Sequence, residues 1–125
     1  MIAAVLAATA ACGGSGHSGN YAKEATSACL TGKGVSVVSV ANSTDFVADS
    51  ATGGAFRARL PHNRVTVSFG LTLDDADNIN QAYPRFHAAN VGIDDILRQQ
   101  GNAVMLWHTH PSNADIATVT GCLKS

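Results

Sequence analysis

Two adjacent segments in the middle of the chain alternate apolar and polar residues, and this alternation constrains the fold more than any other feature. Side chains alternate between the two faces of a strand, so the pattern predicts two strands of one β-hairpin with a single apolar face. The predicted pairs are Leu60 with Val65, Ala58 with Val67, and Phe56 with Phe69, with His62 and Asn63 at the tip. A slip of one residue would expose the whole apolar set, so this face is strongly specified.

The other periodic segments predict helices and strands on both sides of the hairpin. They are a helix over 20–30, a strand over 35–40, a short helix within 42–52, a helix from 74 that meets Pro84, a short helical turn over 91–97, a strand over 103–108 and a helix after Ser112. We predict an α+β fold of the ferredoxin-like split βαβ type (βαββαβ), with extra N- and C-terminal helices. In that arrangement the first and last strands are antiparallel neighbours.

The first residues have the composition of an export signal. Residues 1–11 are apolar and rich in alanine, and glycine and serine follow Cys12. Such a segment is typical of a signal peptide and is too short to span a membrane. Thr9-Ala10-Ala11-Cys12 resembles the lipobox of bacterial prolipoproteins, in which the cysteine is lipidated and becomes the first residue of the mature protein.

The prolipoprotein resemblance covers residues 1–14 and implies how the chain is organised. A signal peptide would occupy 1–11, a flexible tether that begins with lipidated Cys12 would occupy 12–19, and one α+β domain would occupy 20–125. Lipidation would anchor the domain to a membrane surface at the bacterial cell envelope. An ordinary secretory signal followed by an incidental cysteine is the alternative.

The presence of two further cysteines, Cys29 and Cys122, is consistent with export. Paired cysteines in an oxidising compartment most simply form a disulfide, which here would join the helix before the first strand to the helix after the last strand. A metal site shared with histidines is the alternative, although neither cysteine belongs to a C-x-x-C motif.

The end of the last predicted strand carries a candidate metal site. His108 and His110 would point the same way, with Cα atoms about 6.6 Å apart, and could share one ion. The string from His108 to Asp115 resembles the H-x-H-P and S-x-x-D signature of JAMM-type zinc metallopeptidases, which implies zinc ligation by His108, His110 and Asp115. The spacing departs from that family because Ser112 follows Pro111 directly, and the only glutamate, Glu24, is in the first predicted helix.

A helix start explains the same residues without a metal. Serine at an N-cap and an acidic residue three positions later form a capping box, which Ser112 and Asp115 match. In this interpretation Asp115 accepts a backbone hydrogen bond and Pro111 only precedes the helix.

The polar face of the predicted hairpin is a candidate binding surface. It carries Arg57, Arg59, Thr66 and Ser68. Two guanidiniums and two hydroxyls suit an anionic ligand or partner if this face of the sheet is open. A solvated sheet face with no ligand is the alternative.

The net charge and the sequence motifs argue against several classes of function. The formal net charge is −1, which gives no basic field for nucleic acid. No nucleophile elbow, P-loop or dinucleotide fingerprint is present. We therefore expect a non-catalytic binding or structural module without a cofactor, whose partner is an envelope protein or a small ligand. The alternative is a metal-binding protein or metal-dependent hydrolase, with zinc as the candidate metal, that uses His108 and His110, with Asp115 or His87 as the third ligand.

Overall fold

The computed structural model describes residues 19–41, 44–86 and 92–125. These residues contain five helices and five strands. In chain order they are α1 (Lys23–Gly32), β1 (Ser36–Ser39), α2 (Phe46–Asp49), β2 (Ala55–Leu60), β3 (Asn63–Phe69), α3 (Leu73–Phe86), α4 (Ile93–Ile96), β4 (Leu97–Gln100), β5 (Ala103–Trp107) and α5 (Asn113–Thr120). The predicted α+β class is confirmed. None of these helices is long and apolar enough to cross a bilayer.

The strands form one antiparallel sheet in the order β1-β2-β3-β5-β4. The ferredoxin-like prediction is wrong about the neighbours of the first strand, because β2 and β3 separate β1 from β5. A ferredoxin-like crossover needs a helix that spans the sheet, whereas α2 has only four residues. The chain therefore returns beside β1, and β1 and β2 form an antiparallel pair at one edge.

A second hairpin lies where the apolar spacing predicts only a helical turn. The helical part is limited to α4, and β4 then pairs with β5 through a two-residue turn of Gly101 and Asn102. Gly101 has a φ of 55°, a left-handed conformation that glycine accepts readily. Gly-Asn between two short segments is itself a hairpin signal.

The central hairpin has the predicted faces but a different register. Leu60 pairs with Asn63 and Ala58 with Val65, so the turn consists of Pro61 and His62 alone. The shift from the predicted pairing is two residues, which leaves every side chain on its predicted face. Asn63 lies inside β3 and is not at the tip, because its side chain bonds the backbone N–H and C=O of Thr109 at 3.2 and 3.1 Å.

Helices pack on both faces of the sheet. The predicted apolar face, which includes Phe56 and Val67, forms the larger core with Leu30 of α1 and Val119 of α5. On the opposite face, α2 and α3 cover part of the sheet, with Tyr83 packed against the strands. Helix α3 continues through Pro84 to Phe86 and does not end before the proline.

The predicted Cys29–Cys122 disulfide is confirmed. Its Cα atoms are 5.4 Å apart, and it joins α1 to the segment that follows α5. Cys122 is fully buried in the larger core. The bond therefore links α1 to the segment directly after α5, across 93 positions of sequence.

Asn102 ties three distant segments together at one end of the sheet. Its Nδ2 donates to the carbonyls of Tyr21 and Gly70 at 2.9 and 2.7 Å, and its Oδ1 accepts from the Tyr21 N–H at 2.6 Å. Its backbone N–H donates to the Gly19 carbonyl at 2.8 Å. Gly19, predicted as the last residue of the tether, is thus hydrogen-bonded to the sheet.

Candidate anion-binding groove

Two rows of side chains cross the face of the sheet that lies opposite the larger core. The strand register places their members side by side. The first row is Ser36, Arg59, Arg64 and His108, and the second row is Val38, Arg57, Thr66 and Leu106. Three guanidiniums from two adjacent strands therefore share one face, near the turn of the central hairpin.

The two rows form the floor of a groove that α2 and α3 leave uncovered. Its volume is about 680 Å³. Thr44 and Asp45, which precede α2, form one wall, and Ile96 contributes at the other side. Val38, at the edge of the sheet, is 52% exposed. The groove is thus large enough for a small ligand and continues to the sheet edge at β1.

The described lining of the groove carries three arginines and one carboxylate, that of Asp45. Within the described ranges, no carboxylate oxygen lies within 4.0 Å of the guanidinium nitrogens of Arg57, Arg59 or Arg64. Arg64 Nη2 donates to Nδ1 of His108 at 3.2 Å, because a guanidinium has no acceptor atom and the ring nitrogen must accept. An anion in the groove would meet the three guanidiniums, and Arg64 keeps further N–H donors for it.

Two of the arginines oppose each other directly. Arg59 and Arg64 are Cα partners in the β2–β3 pairing. Like charges placed opposite each other across an antiparallel pair destabilise the sheet. A bound anion would remove this repulsion, because its negative charge would lie between or beside the two guanidiniums.

The acidic residue in the wall has structural hydrogen bonds. Asp45 caps α2 by accepting from the Ala48 N–H at 2.9 Å, and its other oxygen accepts from the Tyr83 hydroxyl at 2.9 Å. Burial raises the pKa of Tyr83 well above its usual value, so this hydroxyl keeps its proton and remains a donor. Asp45 thereby joins α2 to α3 at the border of the groove.

Three of the four polar residues predicted for this face are accessible, and one is not. Arg57, Arg59 and Thr66 line the groove. Ser68 is on the same face but is fully buried, and it lies beside Tyr83 of α3. Ser68 stays a predicted binding residue, but α3 covers the end of β3 where this hydroxyl lies.

The three predicted zinc ligands each contact a different residue. His108 contacts Arg64, and Nδ1 of His110 is 2.7 Å from Asp95 Oδ1. Asp115 accepts from the Ser112 N–H at 3.3 Å, while its own N–H donates to the Ser112 hydroxyl at 3.0 Å. This is the capping box that the alternative interpretation predicted.

In residues 19–41, 44–86 and 92–125, no three His, Cys, Asp or Glu side chains come together to hold a metal ion. Two predicted residues lie outside these ranges: Cys12, the candidate lipidation site, and His87, the candidate third metal ligand. The zinc hypothesis thus gains no support from the described geometry.

Sequence reasoning missed two members of the groove. Arg64 has the same alternation as Thr66 and could have been assigned to the polar face, since it begins the second half of the hairpin pattern. His108 was predicted as a metal ligand, but its place beside Arg64 follows from the pairing of β5 with β3. That pairing joins residues 44 positions apart, which local periodicity does not report.

Comparison with known proteins gives no relative for this chain. No family model, no curated protein and no solved structure matches it.

Proposed function

We propose that this protein is an exported, lipid-anchored module of the cell envelope that binds an anionic ligand in the groove and does not catalyse a reaction. The observation that carries the binding role is the set of three arginines on one open sheet face, whose guanidinium nitrogens have no carboxylate of the described residues within 4.0 Å. Arginine presents paired N–H donors that match carboxylate and phosphate oxygens. The anchor rests on the lipobox resemblance at Cys12, and the disulfide is consistent with an oxidising compartment.

The structure of the groove supports binding of an anion more than a purely structural role. A directly opposed pair of arginines costs stability in the free protein, and residues kept at such a cost are typical of functional sites. Thr66 and Ser36 add hydroxyls that donate to the same kind of oxygen. The ligand of this proposal is therefore a multivalent anion with carboxylate or phosphate groups.

Binding of anions is tested by titration calorimetry of the Cys12→Ala chain with inorganic pyrophosphate and with citrate at low salt. We expect the triple variant Arg57→Gln, Arg59→Gln, Arg64→Gln to bind at least one of these anions at least about 100-fold more weakly, which is the loss of one or two charge-assisted bonds of about 1.5–3 kcal/mol each. The matched control is Arg85→Gln, an exposed arginine of α3 outside the groove, which should bind as the parent does. Equal binding by the triple variant, or no binding of either anion by the parent, would contradict the proposal.

The anchor is tested in a bacterial host by the mass and the location of the protein. We expect the mature chain to begin at Cys12 and to carry acyl chains, and to sediment with membranes. The Cys12→Ala variant should lose both the acyl mass and membrane association, because the acyl chains on Cys12 are the anchor in this proposal. A matched Ser15→Ala variant should behave as the parent. Membrane association that survives Cys12→Ala would rule out the lipid anchor.

A further inference from the structure

The first strand is a free edge of the sheet that adjoins the groove. β1 pairs with β2 on one side, and no other described strand pairs with it. Three of its four residues are exposed, and Val38 is among the most exposed large apolar residues. An edge strand presents unpaired backbone N–H and C=O groups, which a further strand can satisfy.

β1 lacks the side chains that commonly block strand addition. Its sequence, Ser-Val-Val-Ser, contains neither a charge nor a proline. The opposite edge is different. In β4, Arg98 Nη1 donates to the carbonyls of Asp95 and Leu97, and Gln99 donates to Asp77 of α3. Of the two edges, β1 is therefore the one suited to accept another strand.

The register predicts which side chains of an added strand would enter the groove. Ser36 and Val38 lie on the groove face, in the same rows as Arg59 and Arg57. A strand placed beside β1 would continue these rows, so its alternate residues would lie on the groove face about 9.6 Å, or two strand spacings, from the arginines. Ser36 is short, and long side chains on both sides can meet across it.

We propose that the groove and the β1 edge together bind an extended acidic segment of a partner protein, which adds to the sheet as a strand beside β1. This inference rests on the proposed anion-binding role of the groove. Backbone hydrogen bonds to β1 would supply affinity, and carboxylates at alternate positions of the segment would contact Arg59 and Arg57 and supply specificity.

Charge complementarity selects this occupant over a second copy of the chain. Pairing of β1 with β1 of another copy would continue the sheet with a second face that carries the same three arginines. Like charges along the joined face would repel one another, whereas an acidic segment neutralises the face that the fold presents.

The test uses one acidic peptide and two backbone-methylated forms of it. The probe is acetyl-Thr-Glu-Thr-Glu-Thr-Glu-Thr-amide, in which the glutamates share one face when the peptide is extended. One form carries N-methyl groups on the glutamate amides, and the other carries them on the threonine amides. In either strand orientation, alternate amides face β1, so only one methylated form blocks pairing.

We expect the Cys12→Ala chain to bind the peptide, to lose about tenfold or more in affinity for one methylated form, and to keep its affinity for the other. The arginine triple variant should also bind the parent peptide at least about tenfold more weakly. A peptide with lysine in place of glutamate should not bind.

The outcomes separate this inference from the proposed function. Equal binding of both methylated forms would overturn strand addition, even if pyrophosphate or citrate binding remained intact. Absence of binding by the small anions and the peptide alike would overturn both proposals. A concentration-dependent dimer in analytical ultracentrifugation that the peptide dissociates would mean that a second copy occupies β1, and would overturn the choice of an acidic partner segment.

Discussion

Replacing both Cys29 and Cys122 by alanine is expected to lower the free energy of unfolding by about 4 kcal/mol. The bond joins positions 93 residues apart, so its loss releases a large loop in the unfolded chain and raises the entropy of that state. A domain of this size has a modest core, so this loss is a large part of its total stability. Urea unfolding followed by Trp107 fluorescence measures the change.

The alanine substitutions also remove two sulfur atoms, so the parent protein with its disulfide reduced is the control that separates loss of the bond from loss of packing. The reduced thiols keep nearly the volume of the bond, so the reduced parent should be destabilised almost as much as the alanine double variant. Reductant should leave the double variant unchanged. A loss below about 1 kcal/mol in both cases would mean that the unfolded state gains little freedom when the bond is absent.

Asn102→Asp is expected to lower the free energy of unfolding by about 4 kcal/mol at neutral pH, although the two side chains have nearly the same shape. Asn102 is only 3% exposed and donates to two carbonyl oxygens. A carboxylate has no hydrogen to donate, so both acceptors would lose their partner and would face a buried negative charge. The β4–β5 turn would therefore lose its side-chain hydrogen bonds to the Tyr21 carbonyl, in the N-terminal segment, and to the Gly70 carbonyl, directly after β3.

The destabilisation caused by Asn102→Asp should increase as the pH rises. Burial beside two carbonyls raises the pKa of the new carboxyl in the folded state above its unfolded value of about 3.9. The protonated carboxyl can donate one bond, so the destabilisation is smallest at low pH and grows as the pH rises through the folded pKa. Urea midpoints of variant and parent at about pH 4 and about pH 7 measure this difference.

Asn113→Asp is the matched control for this substitution. Asn113 is exposed at the start of α5, where a negative charge interacts favourably with the helix dipole. This variant should be as stable as the parent or slightly more stable. An Asn102→Asp variant that behaves in the same way would mean that the hydrogen bonds of Asn102 contribute little to stability.

Local sequence patterns predicted several parts of this fold correctly. The alternation around Ala58 and Val67 predicted the central hairpin and its apolar face, because side-chain direction in a strand depends only on position. The Cys29–Cys122 bond was predicted because two cysteines of an exported chain most simply form a disulfide. The pair Ser112 and Asp115 predicted a capped helix start, because a capping box needs only residues three positions apart.

Other parts depended on contacts that no local pattern contains. The hairpin register shifted because Asn63 bonds to Thr109, 46 positions away. β4 formed because pairing with β5 outweighed the helical spacing around Ile96, as tertiary contacts often override local propensity. Ser68 became buried because α3 packs over it, and propensity says nothing about which helix covers which strand.

The sequence by itself determined the class of fold, the apolar face of the central hairpin, the disulfide and the start of the last helix. These features follow from periodicity, cysteine pairing and capping, which act within a segment or through a covalent bond. Only the tertiary structure decided the strand order, and with it the groove and the free edge at β1. Strand order depends on long-range pairing and on the length of the connections, so Arg57, Arg59, Arg64 and His108 share one surface only after the sheet has assembled.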